Sequence, residues 1–189
     1  MSNTVRLKIK LDHVVPSVFR RIEVPQTLRL DDLHRVIQVA MGWEDYHLWE
    51  FRLGRDVAYG IPDPDWPDET PLAANRATLG SLLKRLAGKK TFRYVYDFGD
   101  NWIHTITVES SGRADPAILY PRLVSAKGQC PPEDCGGPWG YAHYLEAIND
   151  PDHEEHDEMI NWRGPGFDPS TVDEDDIRKT LAFLAEDLS

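Results

Sequence analysis

Two short segments concentrate the reactive side chains of this chain: Tyr96-Asp97-Phe98-Gly99-Asp100-Asn101-Trp102-Ile103-His104, and Cys130-Pro131-Pro132-Glu133-Asp134-Cys135-Gly136-Gly137. Each sets carboxylates beside turn-forming Gly or Pro, and the second holds both cysteines of the sequence. Two kinds of chemistry suit such a set. Asp97, Asp100, His104, Glu133 and Asp134 offer the oxygen and imidazole donors of a metal-dependent hydrolase. With Trp102 and Tyr141, the same groups would instead line a non-catalytic pocket, acidic and aromatic, that recognises a protein or a small polar ligand. The binding module is the preferred reading, because no nucleophile, oxyanion device or phosphate loop accompanies these segments. No catalytic residue is assigned and no cofactor is expected; the metal-dependent hydrolase is the alternative.

Each residue also has a plainer role to weigh. An Asp beside Gly in a hairpin commonly hydrogen-bonds its own turn, which describes Asp100 well and leaves Asp97 between turn and site. His104 lies two residues beyond Trp102, so strand alternation puts both on one face, where a histidine is either a ligand or a satisfied core side chain. Cys130 and Cys135 lack the second pair that structural zinc wants; His143 and His104 would have to complete the set. Glu133 and Asp134 add negative charge that disfavours a reactive thiolate, so the expected state is two thiols packed inward from a loop ordered by Pro and Gly. The run His153-Glu154-Glu155-His156-Asp157-Glu158 spaces its histidines at i and i+3, not at the i and i+4 of a metalloprotease helix, and reads as a solvated acidic loop. Gly88-Lys89-Lys90-Thr91 lacks the upstream glycine of a phosphate loop, since that position is Leu83.

The elements that must position these groups follow from periodicity. Val5, Leu7, Ile9 and Leu11 alternate with polar residues as a half-buried strand, and Val18, Arg20, Ile22 and Val24 suggest its hairpin partner. Leu30, Leu33, Ile37, Ala40 and Met41 fall at helical spacing behind Asp31 and Asp32, with Gly42 as the stop. His47, Trp49, Phe51 and Leu53 alternate as a further strand. Residues 54–76, with Pro62, Pro64, Pro67 and Pro71, are expected to be a surface loop. Thr78 caps a short helix through Leu86, and Phe92–Phe98 with Trp102–Glu109 forms a hairpin turning at Gly99-Asp100-Asn101. A helix carrying Tyr141, Tyr144, Leu145 and Ile148 follows Gly136-Gly137, and another carries Ile177, Leu181, Leu184 and Leu188. The prediction is one α+β domain over residues 1–189, mainly antiparallel sheet. Its N-terminal half runs strand-strand-helix-strand, an order compatible with a ubiquitin-like grasp, and helices dominate the C-terminal half.

Composition bounds the function. The chain has 189 residues, 41% apolar, and a net charge of −11. That charge is unevenly spread: residues 1–105 carry 15 Lys/Arg and 14 Asp/Glu, whereas residues 106–189 carry 6 and 18. A second half so acidic repels phosphates, and binding to duplex nucleic acid is not expected. No apolar run reaches membrane-spanning length and residues 1–20 lack a secretory layout, which gives an expectation of a cytoplasmic protein with no membrane partner.

Pro16 to Arg21 (PSVFRR), Thr27-Leu28 with Leu33-His34, Gly42-Trp43, His47-Leu48 with Phe51, the YDFGD turn with Trp102 and His104, and Cys130 to Tyr141 (CPPEDCGGPWGY) together resemble the plasmid pRiA4b Orf-3-like family. The resemblance runs from about residue 5 to about residue 184, with Phe19 where the family pattern has Trp. It implies a link to plasmids or mobile elements. Family members sometimes carry the label transposon resolvase, but the family brings no established activity, and the serine and arginine constellation of a resolvase cannot be placed on this chain.

Overall fold

The computed structural model describes residues 3–65 and 71–188. Strict alternation makes β1 (Asn3–Leu11), whose Val5, Leu7, Ile9 and Leu11 are fully buried, and β2 (Phe19–Pro25) pairs with it antiparallel as the expected hairpin. Helix α1 (Leu30–Met41) follows, and its buried stripe includes Leu30, Leu33, Ile37 and Ala40. Asp31 and Asp32 lie in its first turn, where carboxylates favour the positive end of the helix dipole, while Arg29 occupies the cap position. Gly42, at φ 89°, ends the helix by donating its N–H to the Gln38 carbonyl.

The remaining elements are β3 (Trp49–Leu53), β4 (Val57–Gly60), β5 (Leu72–Ala73), α2 (Leu79–Arg85), β6 (Thr91–Tyr96), β7 (Trp102–Arg113), β8 (Arg122–Lys127), α3 (Gly137–Asn149), α4 (His156–Arg163) and α5 (Glu174–Asp187). Eight strands make one open sheet in the order β5-β4-β3-β6-β7-β1-β2-β8, antiparallel throughout except for the β4–β5 pair. The class is therefore α+β in a single domain. The strand-strand-helix-strand order of the N-terminal half is present, but β6 and β7 are inserted in space between the hairpin and β3.

Three stretches differ from expectation. Within residues 54–76, Val57–Gly60 and Leu72–Ala73 are short strands, because Pro62 and Pro64 fall after β4 and leave its ladder donors intact; Pro67 lies outside the described residues. Residues 153–158 are not wholly loop, since α4 begins at His156. The strand expected from His47 starts at Trp49, which leaves His47 in the loop before it. Thr78 caps α2 as expected, in a reciprocal box with Ser81.

The sheet order decides where the site can be. The start of β3, the end of β6 and the start of β7 lie side by side, with Tyr96 opposite both Trp49 and Trp102. The α1–β3 loop and the YDFGD turn therefore emerge at the same end of the sheet, and the loop before α3 closes over them.

Candidate functional site

The two reactive segments meet. Asp100 accepts a hydrogen bond from the Gly136 N–H through Oδ2 (3.1 Å), and Tyr96 donates its hydroxyl to Glu133 (3.1 Å). Glycine makes this approach possible: a Cβ on Gly137, at φ 69°, would stand 2.4 Å from the Asp100 carbonyl oxygen, and one on Gly140 only 1.8 Å from that of Cys135. The GGPWG sequence is thus the seat of the loop on the turn and on its own helix.

A third segment, residues 42–48, completes the constellation. Trp43 bolts it down, donating Nε1 to the Pro131 carbonyl (3.0 Å) and stacking on Tyr96 with ring centroids 5.1 Å apart. The Glu44 N–H donates to the Glu133 carboxylate (2.9 Å), and the Tyr46 hydroxyl reaches Asp134 (3.4 Å). His47 stands between carboxylates from both reactive segments, its Nε2 3.1 Å from Asp134 Oδ1 and 3.7 Å from Asp97 Oδ2. Residue-type reasoning passed over His47, which alternation placed in a strand. The available signal was the dense acidic and aromatic run Glu44-Asp45-Tyr46-His47 directly after the helix stop.

The expected site residues divide into two groups. Asp97, Asp100, Glu133 and Asp134 lie where the loops meet. Trp102, His104 and Tyr141 are fully buried in the core behind them. His104 packs edge-on against Trp43 (5.3 Å) and beside Tyr94 (5.2 Å); its Nδ1 lies 3.1 Å from the Trp102 carbonyl and its Nε2 has no partner of good geometry. Burial drives its pKa down to about 3, so the ring is neutral. The five-residue set Asp97, Asp100, His104, Glu133 and Asp134 therefore does not converge on one point.

Burial also pushes the thiols up, Cys130 to about 11 and Cys135 to about 12, and the Glu133 carboxyl is raised for the same reason. Both cysteines are thiols. Cys130 sits in the core with its sulfur 3.3 Å from that of Met41, so it is inert packing rather than a nucleophile. His143, the further histidine considered beside them, pairs with Glu155.

A cleft of about 530 Å³ opens between residues 41–46, the 129–134 loop and the segments at 162–163 and 171–177. Its walls carry Glu44, Glu133, Asp134, Asp173 and Asp176, the rings of Tyr46 and Trp162, and two cations, Arg163 at the rim and Arg20 buried at the floor. Tyr46 and Trp162 are about half exposed, so both present ring surface to a ligand. A larger hollow of about 1220 Å³ lies over β3, β4 and β6, lined by Arg52, Arg55, Lys89 and Arg93 with Glu50 and Asp56. It holds none of the groups that converge at the loops.

Fold and site together define a single-domain α+β protein in which three loops meet at one end of an open antiparallel sheet, and two of them, residues 41–46 and 129–134, build an acidic, aromatic cleft with the segments at 162–163 and 171–177. The chain belongs to the family described as Plasmid pRiA4b ORF-3-like protein, which it matches over residues 3–176. It is 47% identical over 188 residues to the uncharacterized protein y4hQ of Sinorhizobium fredii, covering 98% of this chain and 94% of that one. It also resembles the crystal structure of MM3350, a protein of unknown function from Methanosarcina mazei Go1, with TM-score 0.82 and 34% identity over 93% of this chain and 98% of that chain. Among the described residues no helix is long and apolar enough to cross a membrane.

Proposed function

We propose that the protein is a non-catalytic, cytoplasmic binding module whose cleft takes a small polar ligand, or an exposed protein segment, that carries positive charge. The observation behind this reading is the lining: five carboxylates and two half-exposed aromatic rings share one hollow with two arginines, Arg163 at the rim and the buried Arg20, whose guanidinium is committed to backbone carbonyls. Carboxylates attract ammonium and guanidinium groups, and ring faces add cation–π attraction worth about 0.5–2 kcal/mol. The catalytic alternative has less support, since the buried thiols are held protonated and His104 cannot reach the cleft. The family's plasmid association fits a service role in mobile elements, while the acidic surface argues against duplex DNA as the partner.

Trp162 and Trp43 line the cleft and serve as reporters. Titration with spermidine, followed by tryptophan fluorescence and calorimetry at physiological salt, is expected to saturate. Glutamate and a duplex oligonucleotide should produce no saturable signal, and Asp173→Asn combined with Trp162→Ala should weaken spermidine binding on the order of tenfold or more. Saturable binding of the duplex, or spermidine binding untouched by the double variant, would overturn the reading.

A further inference from the structure

We infer that His47, Asp97 and Asp134 form a mononuclear site for a divalent transition-metal cation of the zinc class, a site that shares Asp134 with the cleft but does not rest on the cleft's ligand reading. One donor atom from each residue lies within 4.8 Å of the other two. Donors held about 2.0–2.2 Å from a common ion in a tetrahedral site stand about 3.3–3.6 Å from one another, and the His47 Nε2 distances of 3.1 Å to Asp134 and 3.7 Å to Asp97 bracket that separation.

The surroundings aim each donor. Asp97 sits at φ 55° with its N–H on the Leu48 carbonyl (2.8 Å), and its Oδ1 accepts the Gly99 N–H (2.9 Å), which leaves Oδ2 facing His47. Asp134 turns Oδ2 toward the Tyr46 hydroxyl and Oδ1 toward His47. These are the outer contacts that orient metal-binding carboxylates elsewhere.

Two further observations suit a cation at this point. Asp97 is only 7% exposed, and its Oδ2 faces the His47 ring at 3.7 Å. The Nε2 atom of His47 is buried without a hydrogen bond, because neither carboxylate oxygen lies on the axis that such a bond requires, so the nitrogen faces the space between them. Two carboxylates gather beside one imidazole in a partly buried spot, a donor set that a divalent ion holds together. Imidazole with two carboxylates suits zinc, manganese or ferrous iron better than magnesium, which prefers an all-oxygen octahedron. Asp134 also lines the cleft, so the open coordination positions would face it.

The test uses untagged chain stripped with chelator and contains no organic ligand, so its outcome is independent of spermidine binding. Titration with Zn²⁺ against a chromophoric competitor should give one ion per chain, and Co²⁺ should give visible d–d bands; Mg²⁺ should give neither a change in stoichiometry nor a rise in Tm. Asp134→Asn, at a side chain 61% exposed and therefore safe for folding, and His47→Gln should each weaken Zn²⁺ binding on the order of 100-fold. Asp100→Asn, whose carboxylate is engaged by Gly136, should bind as wild type. The cluster His143, His153 and Glu155 on the outer surface is the competing locus. Absence of stoichiometric Zn²⁺ binding, or loss of it in His143→Ala but not in Asp134→Asn, would overturn the assignment.

Discussion

At the scale of single residues, histidines divide the molecule into scaffold and site. Alternation along β7 put Trp102, His104 and Ile106 on one face, and that face is the core, with His104 fully buried. Pattern was therefore the better guide than proximity to Asp97 and Asp100. His34 is scaffold too: its ring stacks on Trp49 at 4.0 Å and links the Tyr94 hydroxyl to Asp45. Burial lowers both rings' pKa. The sign of the pH dependence follows. In the folded state His104 stays neutral down to about 3, whereas the unfolded ring takes its proton near 6.5. Between those values the unfolded chain binds more protons, so stability is lost as pH falls, by up to about 1.4 kcal/mol per pH unit for this ring. His104→Leu should therefore flatten the decline of the urea midpoint between pH 6.5 and 5, with His34 still contributing a slope, and should change stability at pH 7.5 by less than about 1.5 kcal/mol. Wild type and variant declining in parallel over that range would show that His104 is not the titrating group. His47, by contrast, was not legible as a site residue. Its partners are 50 and 87 positions away (Asp97 and Asp134), and only the pairing of β3 with β6 brings the first of them near.

Among the elements, those with sustained periodicity were readable and those without it were not. The β1–β2 hairpin, α1 and α5 each repeat an apolar spacing through their length, and the structure has them where the pattern lies. Strands β4 and β5 are four and two residues long, too short to display a period, and β5 survives only as the parallel neighbour of β4. Strand β8 (RLVSAK) is mixed in character and takes its identity from pairing with β2. The register of loop on turn was legible only as two conspicuous glycines. Structure supplies the reason, which is backbone approach: Gly140 has an ordinary φ, yet a Cβ there would meet the Cys135 carbonyl oxygen at 1.8 Å. Gly140→Ala should accordingly cost at least about 2 kcal/mol in urea unfolding and should expose Cys135 to faster thiol labelling as the loop lifts from α3. Gly112→Ala, with open space around its Cβ, should stay within about 0.5 kcal/mol of wild type. Equal costs for the two substitutions would mean that the loop yields without lifting.

For the molecule as a whole, one buried cation joins the two halves that differ so much in charge. Arg20 falls in phase with Val18, Ile22 and Val24, so alternation places it inward, and it is 1% exposed. Among the described residues no carboxylate forms an ion pair with it. Instead its guanidinium donates to carbonyls of Ala40 (2.6 Å), Phe19 (2.9 Å), Lys127 (3.0 Å) and Gly128 (3.0 Å), and its last nitrogen approaches the Cys130 sulfur at 3.7 Å. Ala40 lies in the last turn of α1, where carbonyls lack helical partners and the dipole is negative, and that turn has no basic residue of its own. Arg20 thus caps α1 from the sheet while holding the end of β8 and the start of the Cys130 loop, whose far side carries Glu133 and Asp134. Removing it leaves the buried carbonyls of Ala40 and Gly128, and the part-buried ones of Phe19 and Lys127, without their donor. Arg20→Met, which keeps much of the volume, should lower unfolding free energy by about 3–5 kcal/mol. Arg20→Lys should recover only part of that loss, because an ammonium cannot reproduce the planar fork. Chemical denaturation followed by far-ultraviolet circular dichroism measures both. A loss below about 1 kcal/mol in Arg20→Met would mean that water replaces the guanidinium, and that the cleft wall is held by the Trp43, Tyr96 and Glu44 contacts instead.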